Sequence, residues 1–227
     1  MSLLNKSARA PLLCYVTDRS LLAADSVEAR KLLSQKIAAA AAAGVDWIQI
    51  REKDLSGREW SAVTREALHL AASRTAPSRV KVLVNDRLDI ALATKAGGVH
   101  LGEKNLPPEE VRRLVKPLQR EEDFLIGVSC HSLEAAKTAE RGGADYLIFG
   151  PVFTTPSKAA YGAPQGLNRL AAVCHAVALP VLAIGGITLE NASTCISAGA
   201  SGIAAIRLFQ DAPDLAAVVR TLQERSA

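Results

Sequence analysis

Gln49, Arg51 and Lys53 in "QIREKD" are the first residues of the chain whose types and spacing suggest chemistry. Residues two apart on an extended strand send their side chains to one face. An amide and two cations there fit a di- or triphosphate, because the Arg fork matches phosphate oxygens and Lys adds a point charge. The plainer alternative is a solvated strand end with surface ion pairs. In "VNDR", Asn85 and Asp86 follow an apolar run at a point where a helix should start. Either would serve as a helix cap. Beside a phosphate clamp, Asp86 is also the expected kind of Mg²⁺ ligand, since Mg²⁺ takes one or two carboxylates plus substrate phosphates.

Four further stretches carry candidates. "GVHLGEKNLP" (98–107) breaks at a glycine into a polar loop holding Glu103, Lys104 and Asn105, ahead of a proline that opens a helix. That cluster either holds a cation, meets an anion or decorates a surface turn. "GVSCHS" offers Ser129 and His131 as catalytic candidates, with a structural role at a helix start as the alternative. No Ser-His-Asp arrangement accompanies them. "FGPVFTTPSKAAYGAP" is the longest loop, a kind usually functional inside a compact domain, and Thr155, Ser157 and Lys158 lie in it. In "AIGGIT", Gly185 and Gly186 permit close backbone approach, and the helix after Thr188 presents N–H groups to an anion. Arg207 in "AAIRLF" stands where it could pair with the same anion.

Positioning these residues requires a scaffold, and the chain repeats one eight times. Apolar runs at 12–18, 45–51, 80–86, 98–101, 124–129, 145–150, 180–185 and 202–206 read as strands. Helical patterns fall near 28–43, 57–74, 87–96, 108–118, 132–142, 167–177, 189–199 and 213–224. "AAAGVDWIQI", "TKAGGVHL", "ERGGADYLIFG" and "SAGASGIAAI" each place Gly before a strand, where a left-handed residue closes a helix. Strands without polar alternation are buried on both faces, as in a parallel sheet covered by helices. Eight such units predict an α/β fold, a single-domain (β/α)₈ TIM barrel over 1–227. An open doubly wound sheet would need a GxGxxG turn after an early strand, and the sequence has none. In a barrel every candidate above falls at the C-terminal ends of strands, where active sites sit. Two anion sites emerge, one at strands 2–3 and one at strands 6–8, which suggests two phosphorylated ligands meeting over one barrel mouth.

Composition agrees with an ordinary soluble domain. Of the 227 residues, 49% are hydrophobic, 22% charged and 4% aromatic, with a net charge of +4. Without a dense Lys/Arg block or interleaved aromatics, nucleic acid is not an expected partner. The longest apolar run is far too short to span a membrane. Cys14, Cys130, Cys174 and Cys195 stand far apart without metal-ligand spacing, which predicts buried free thiols and a reducing, cytoplasmic setting. A homodimer is compatible with the sequence and not required by it.

Taken in order, "QIREKD", "VNDRLDIALATKAGGVHLG", "GVSCHS", "GPVFTTPSK" and "VLAIGGIT" resemble the thiamine phosphate synthase family along nearly the whole chain. The resemblance implies a (β/α)₈ barrel that joins hydroxymethylpyrimidine diphosphate to a thiazole phosphate with Mg²⁺, releasing pyrophosphate. It further implies that Gln49, Arg51, Lys53 and Asn85 hold the diphosphate and Asp86 binds Mg²⁺. Ser129 and Lys158 would contact the pyrophosphate, and Thr155, Ser157 and the Gly186 backbone the thiazole phosphate. Two departures stand out. The family usually shows "HLGQxD", whose Asp is a second Mg²⁺ ligand, whereas "HLGEKN" puts Asn105 there, with Glu103 as a replacement carboxylate. After "AAI" the family usually has Ser, and this chain has Arg207. These changes admit two alternatives: a metal-independent thiazole tautomerase, with His131 as general acid or base, or a non-catalytic regulator that binds thiamine intermediates.

Overall fold

The computed structural model describes residues 10–72, 80–118, 123–155 and 163–224. Eight parallel strands follow one another in chain order around a closed barrel. They are β1 (Leu12–Val16), β2 (Trp47–Ile50), β3 (Lys81–Asn85), β4 (Gly98–Leu101), β5 (Leu125–Cys130), β6 (Tyr146–Phe149), β7 (Val181–Ile184) and β8 (Gly202–Ala205). Pairing of β8 with β1, from Leu12↔Gly202 to Tyr15↔Ala205, closes the ring. Helices α1 (Ser26–Ala43), α2 (Gly57–Ala71), α3 (Leu88–Thr94), α4 (Pro108–Val115), α5 (Leu133–Arg141), α6 (Gly166–Ala176) and α7 (Ala192–Ser197) alternate with the strands. A short α8 (Arg207–Gln210) then precedes the final α9 (Leu215–Glu224). The fold is the (β/α)₈ barrel that the apolar periodicity predicts. Among the described residues, no helix is long and apolar enough to cross a membrane.

The alternation of side chains along each strand divides the core in two. Inward-facing Cys14, Val16, Trp47, Leu83, Tyr146, Ile148, Leu182 and Ala204 fill the barrel. Outward-facing residues such as Leu13, Tyr15, Ile48, Val82, Val99, Ile126, Phe149 and Ile203 pack under the helices. This explains the near-continuous apolar runs, since both faces of every strand are dry.

Local chemistry fixes the helix ends. Asp25 caps α1 by accepting from the Val27 and Glu28 amides, and Ser56 with Glu59 forms a capping box on α2. Gly44, Gly143 and Gly199 take the expected left-handed conformation, with φ of 87°, 83° and 99°. The fourth exit differs. Lys95, at φ 60°, closes α3 two residues before the glycine pair. Gly98 is needed in the strand instead, where a Cβ would stand 2.2 Å from the Leu125 carbonyl oxygen. The strand expected over 12–18 stops at Val16, because Thr17 and Asp18 turn to hydrogen-bond Glu52 and Gln210.

Candidate active site

All eight strands run parallel, so their C-terminal ends open on one face, and most of the candidate residues gather there. At the ends of β2 and β3 a chain of polar groups runs from Gln49 to Asp86. Gln49 Nε2 donates to Asn85 Oδ1 at 2.8 Å, and Asn85 Nδ2 donates to Asp86 Oδ2 at 2.8 Å. An ionised carboxylate only accepts, so Asn85 must turn its NH₂ to Asp86, and Gln49 its NH₂ to Asn85. Gln49 is 3% exposed, and among the described residues this order leaves its buried Oε1 without a partner. A stranded buried acceptor costs about 1–3 kcal/mol, so the site favours an occupant with an N–H donor.

Asp86 occupies the left-handed region at φ 59°, unusual for a residue other than glycine and often found at functional sites. Its amide donates to the His100 carbonyl at 2.8 Å, and its Oδ1 accepts from the Gly102 amide at 2.7 Å. Asn105 comes to the same place. A Cβ on Gly102 would lie 3.1 Å from Asn105 Nδ2 and 3.5 Å from Asp86 Oδ1. The carboxylate and the carboxamide therefore both border the Gly102 Cα, where a side chain would be a tight fit. Glu103 is engaged elsewhere: its Oε2 accepts from the His131 amide at 2.9 Å and lies 2.8 Å from His131 Nδ1. Among the described residues, no three His, Cys, Asp or Glu side chains cluster as a metal cage. One carboxylate and one amide oxygen still suit Mg²⁺, which completes its shell with phosphates and water.

Sequence reasoning missed Glu52, between two of the residues it singled out. Glu52 is 2% exposed and accepts from Thr17 Oγ1 at 2.6 Å, the Arg19 amide at 3.1 Å and Arg19 Nη1 at 3.3 Å. Burial raises its carboxyl above the usual range, while Thr17 and Arg19 pull it down. Arg19 is held in turn by a bidentate pair with Asp54 at 2.6 and 2.8 Å. Thr17 Oγ1 also accepts from the Arg51 amide at 3.0 Å, so this network fixes the backbone just beyond β2. The Arg51 guanidinium makes one long contact, 3.5 Å to Asp18 Oδ2, and Lys53 is exposed.

His100, Tyr146 and Ser129 also escaped notice as a set. Buried His100 has Nδ1 3.1 Å from Tyr146 Oη and Nε2 2.8 Å from Ser129 Oγ. Burial pushes the imidazole down to about 4, with Asp86 opposing and Arg51 adding to the shift. Tyr146 packs at a tilt against Trp47, 4.5 Å between ring centroids. Its ring occupies the space a side chain at Gly127 would need, since a Cβ there would fall 2.0 Å from Tyr146 Cζ.

Across the mouth, the chain after β6 and the turn after β7 pack together. Val152 and Phe153 donate to Ile184 and Gly185 carbonyls at 2.8 and 3.0 Å. Gly185 and Gly186 have φ of 96° and 65°, and a Cβ on Gly186 would meet the Thr154 carbonyl oxygen at 2.5 Å. Asn191 braces the turn by donating to the Gly186 carbonyl and accepting from the Thr188 amide, both at 2.9 Å. Thr155 is described at the start of the long loop, whereas Ser157 and Lys158 lie outside the described residues. Exposed Arg207 begins α8. Gln210 ties that helix to the end of β1 through the Tyr15 hydroxyl at 3.0 Å and the Asp18 carbonyl at 2.9 Å. The four cysteines are free and buried as expected, and burial pushes Cys130 up to about 12 and Cys195 up to about 11.

Residues 13–209 match the family described as thiamine monophosphate synthase. The chain is 42% identical over 192 residues to a thiamine-phosphate synthase of Roseiflexus sp. strain RS-1, covering 85% of this chain and 78% of that protein. A second such synthase, from Moorella thermoacetica, is 42% identical over 185 residues, covering 82% and 84%. Among solved structures, thiamine phosphate pyrophosphorylase from Pyrococcus furiosus superposes with a TM-score of 0.78 at 31% identity, covering 95% of both chains. A 3-hexulose-6-phosphate synthase, at TM-score 0.66 and 18% identity, shares the fold alone.

Proposed function

The chain belongs to the thiamine monophosphate synthase family and acts as a thiamine-phosphate synthase, and we infer from its site how its residues divide the work. The reaction joins hydroxymethylpyrimidine diphosphate to thiazole phosphate and releases pyrophosphate. The observation that carries the division is the Gln49–Asn85–Asp86 chain meeting Asn105 at Gly102. It provides a ready acceptor at one end and a cation-binding pair at the other.

Gln49 Oε1 suits an N–H donor of the ligand, such as the pyrimidine amino group, better than a diphosphate oxygen. Arg51 and Lys53 are free enough to meet the diphosphate, and the Glu52 network holds their strand while they do so. Asp86 and Asn105 would hold Mg²⁺, which supplies positive charge for the departing pyrophosphate. Glu103, bound to His131, shapes the neighbouring turn. Ser129 gives a hydroxyl to the pyrophosphate, with Lys158 expected beside it. Opposite, Gly186, Thr155, Ser157 and Arg207 would receive the thiazole phosphate, Gly186 through backbone N–H and Arg207 through its fork. Bond breaking to a pyrimidine cation, followed by capture by the thiazole nitrogen, fits this layout. The site concentrates its charge on the leaving group. Buried free thiols suit a cytoplasmic protein.

The test is pyrophosphate release from the purified protein mixed with both substrates and Mg²⁺. Release dependent on both substrates is expected. Isomerisation of a thiazole carboxylate phosphate without release would favour the tautomerase, and binding without reaction the regulator. The similarities lend no weight to either alternative.

A further inference from the structure

Tyr146 is fully buried, and among the described residues its hydroxyl has one hydrogen-bond partner, His100 Nδ1. Burial holds the phenol well above its ordinary titration range, so it keeps its proton. A buried O–H with a single neighbour donates to that neighbour, since the alternative strands a proton in an apolar space. Nδ1 must then be the bare nitrogen of a neutral ring, and Nε2 carries the hydrogen. Nε2 lies 2.8 Å from Ser129 Oγ and donates to it. The serine oxygen thus accepts from the barrel interior, and its own O–H is left to point elsewhere.

We propose that Tyr146 and His100 are positioning residues that orient the Ser129 hydroxyl, so that its proton faces the anionic group bound at the barrel mouth. The opposite order, with Ser129 donating inward to a bare Nε2, would turn an oxygen lone pair towards a pyrophosphate and repel it. The barrel is built to hold the set. His100 pairs with Gly127 across β4 and β5, and Gly127 pairs with Tyr146 across β5 and β6. The missing side chain at Gly127 is what lets the Tyr146 ring reach under the imidazole. The inference rests on the synthase reading for its catalytic consequence, and on the hydrogen-bond geometry with a protonated phenol for the tautomer.

Nitrogen-15 NMR of the histidine-labelled, ligand-free protein reads the tautomer directly and needs no variant. The expected result is a neutral His100 protonated at Nε2; protonation at Nδ1 overturns the proposal whatever the enzyme's activity. The kinetic arm uses Tyr146→Phe, which keeps the ring and removes the proton that sets the order. Its kcat should fall about ten-fold, with KM for thiazole phosphate unchanged, the size of one hydrogen bond to a charged group. In a Ser129→Ala background the same change should add no further loss. Equal losses in both backgrounds would show that Tyr146 acts through something other than Ser129 and would sink the idea. Failure of the wild-type protein to release pyrophosphate would instead count against the synthase reading.

Discussion

The carboxylate of Asp86 accepts from the Gly102 amide at 2.7 Å, which ties the left-handed end of β3 to the turn after β4. Asn105 borders the same glycine, and the left-handed φ of 59° is what aims Asp86 at it. The pair proposed to hold Mg²⁺ is therefore a property of two neighbouring loops, and substitutions there should separate metal affinity from folding.

Asp86→Asn should lower turnover on the order of 100-fold by removing the one charge of the pair. Asn tolerates the left-handed region, so the stability change should stay within about 1 kcal/mol. Asn105→Asp adds a carboxylate at the same point and should lower the Mg²⁺ concentration for half activity by about ten-fold. Titration of activity against Mg²⁺ checks both, and an unchanged requirement in Asn105→Asp would remove residue 105 from the metal site.

Arg207 is exposed at the start of α8 and stands where the family usually carries Ser. Arg207→Ser should raise KM for thiazole phosphate about ten-fold and leave KM for the pyrimidine diphosphate unaltered, because the proposed arrangement puts only thiazole phosphate on that side. Steady-state kinetics with each substrate varied in turn decides this.

His100 adds a pH dependence to folding. Its folded value of about 4 lies below the ordinary 6.5, with Asp86 and Arg51 as its charged neighbours. Between these values the unfolded chain binds a proton at this residue and the folded protein does not. Stability therefore falls as pH drops through that window, by about 3 kcal/mol in total. Denaturant titrations of ligand-free protein at pH 7 and pH 4.5 should show the loss, and His100→Gln should show less of it.

Gly127→Ala forces a methyl into the Tyr146 ring. A cost of about 1–3 kcal/mol is expected from overpacking, read as a lower denaturation midpoint with an unchanged m-value. No shift would mean that the ring has room to move, and the barrel interior would then not be what fixes Tyr146.

Local pattern carried much of this site. The placement of Gln49, Asn85, Asp86, Ser129, Gly186 and Arg207 at strand ends was legible because a strand end is marked by where an apolar run stops, a property of a few adjacent residues. Glu52 was not, because nothing in "QIREKD" says that its alternate face turns into a buried pocket made by Thr17 and Arg19. Glu103 looked like a metal carboxylate by its place in the loop, yet its partner His131 comes from the next βα turn.

The sequence by itself determined eight βα units, the closed parallel barrel they imply and the face on which the polar residues gather, since periodicity and glycine punctuation act over short range. Only the tertiary structure decided which of those residues touch. Asp86 meets the Gly102 amide, His100 meets Tyr146 and Ser129, and Lys95 closes a helix where a glycine was expected. Each of these outcomes depends on the register between neighbouring strands or on space left by a missing side chain. Both are set by ring closure and packing among residues far apart in the chain, and no short stretch encodes them.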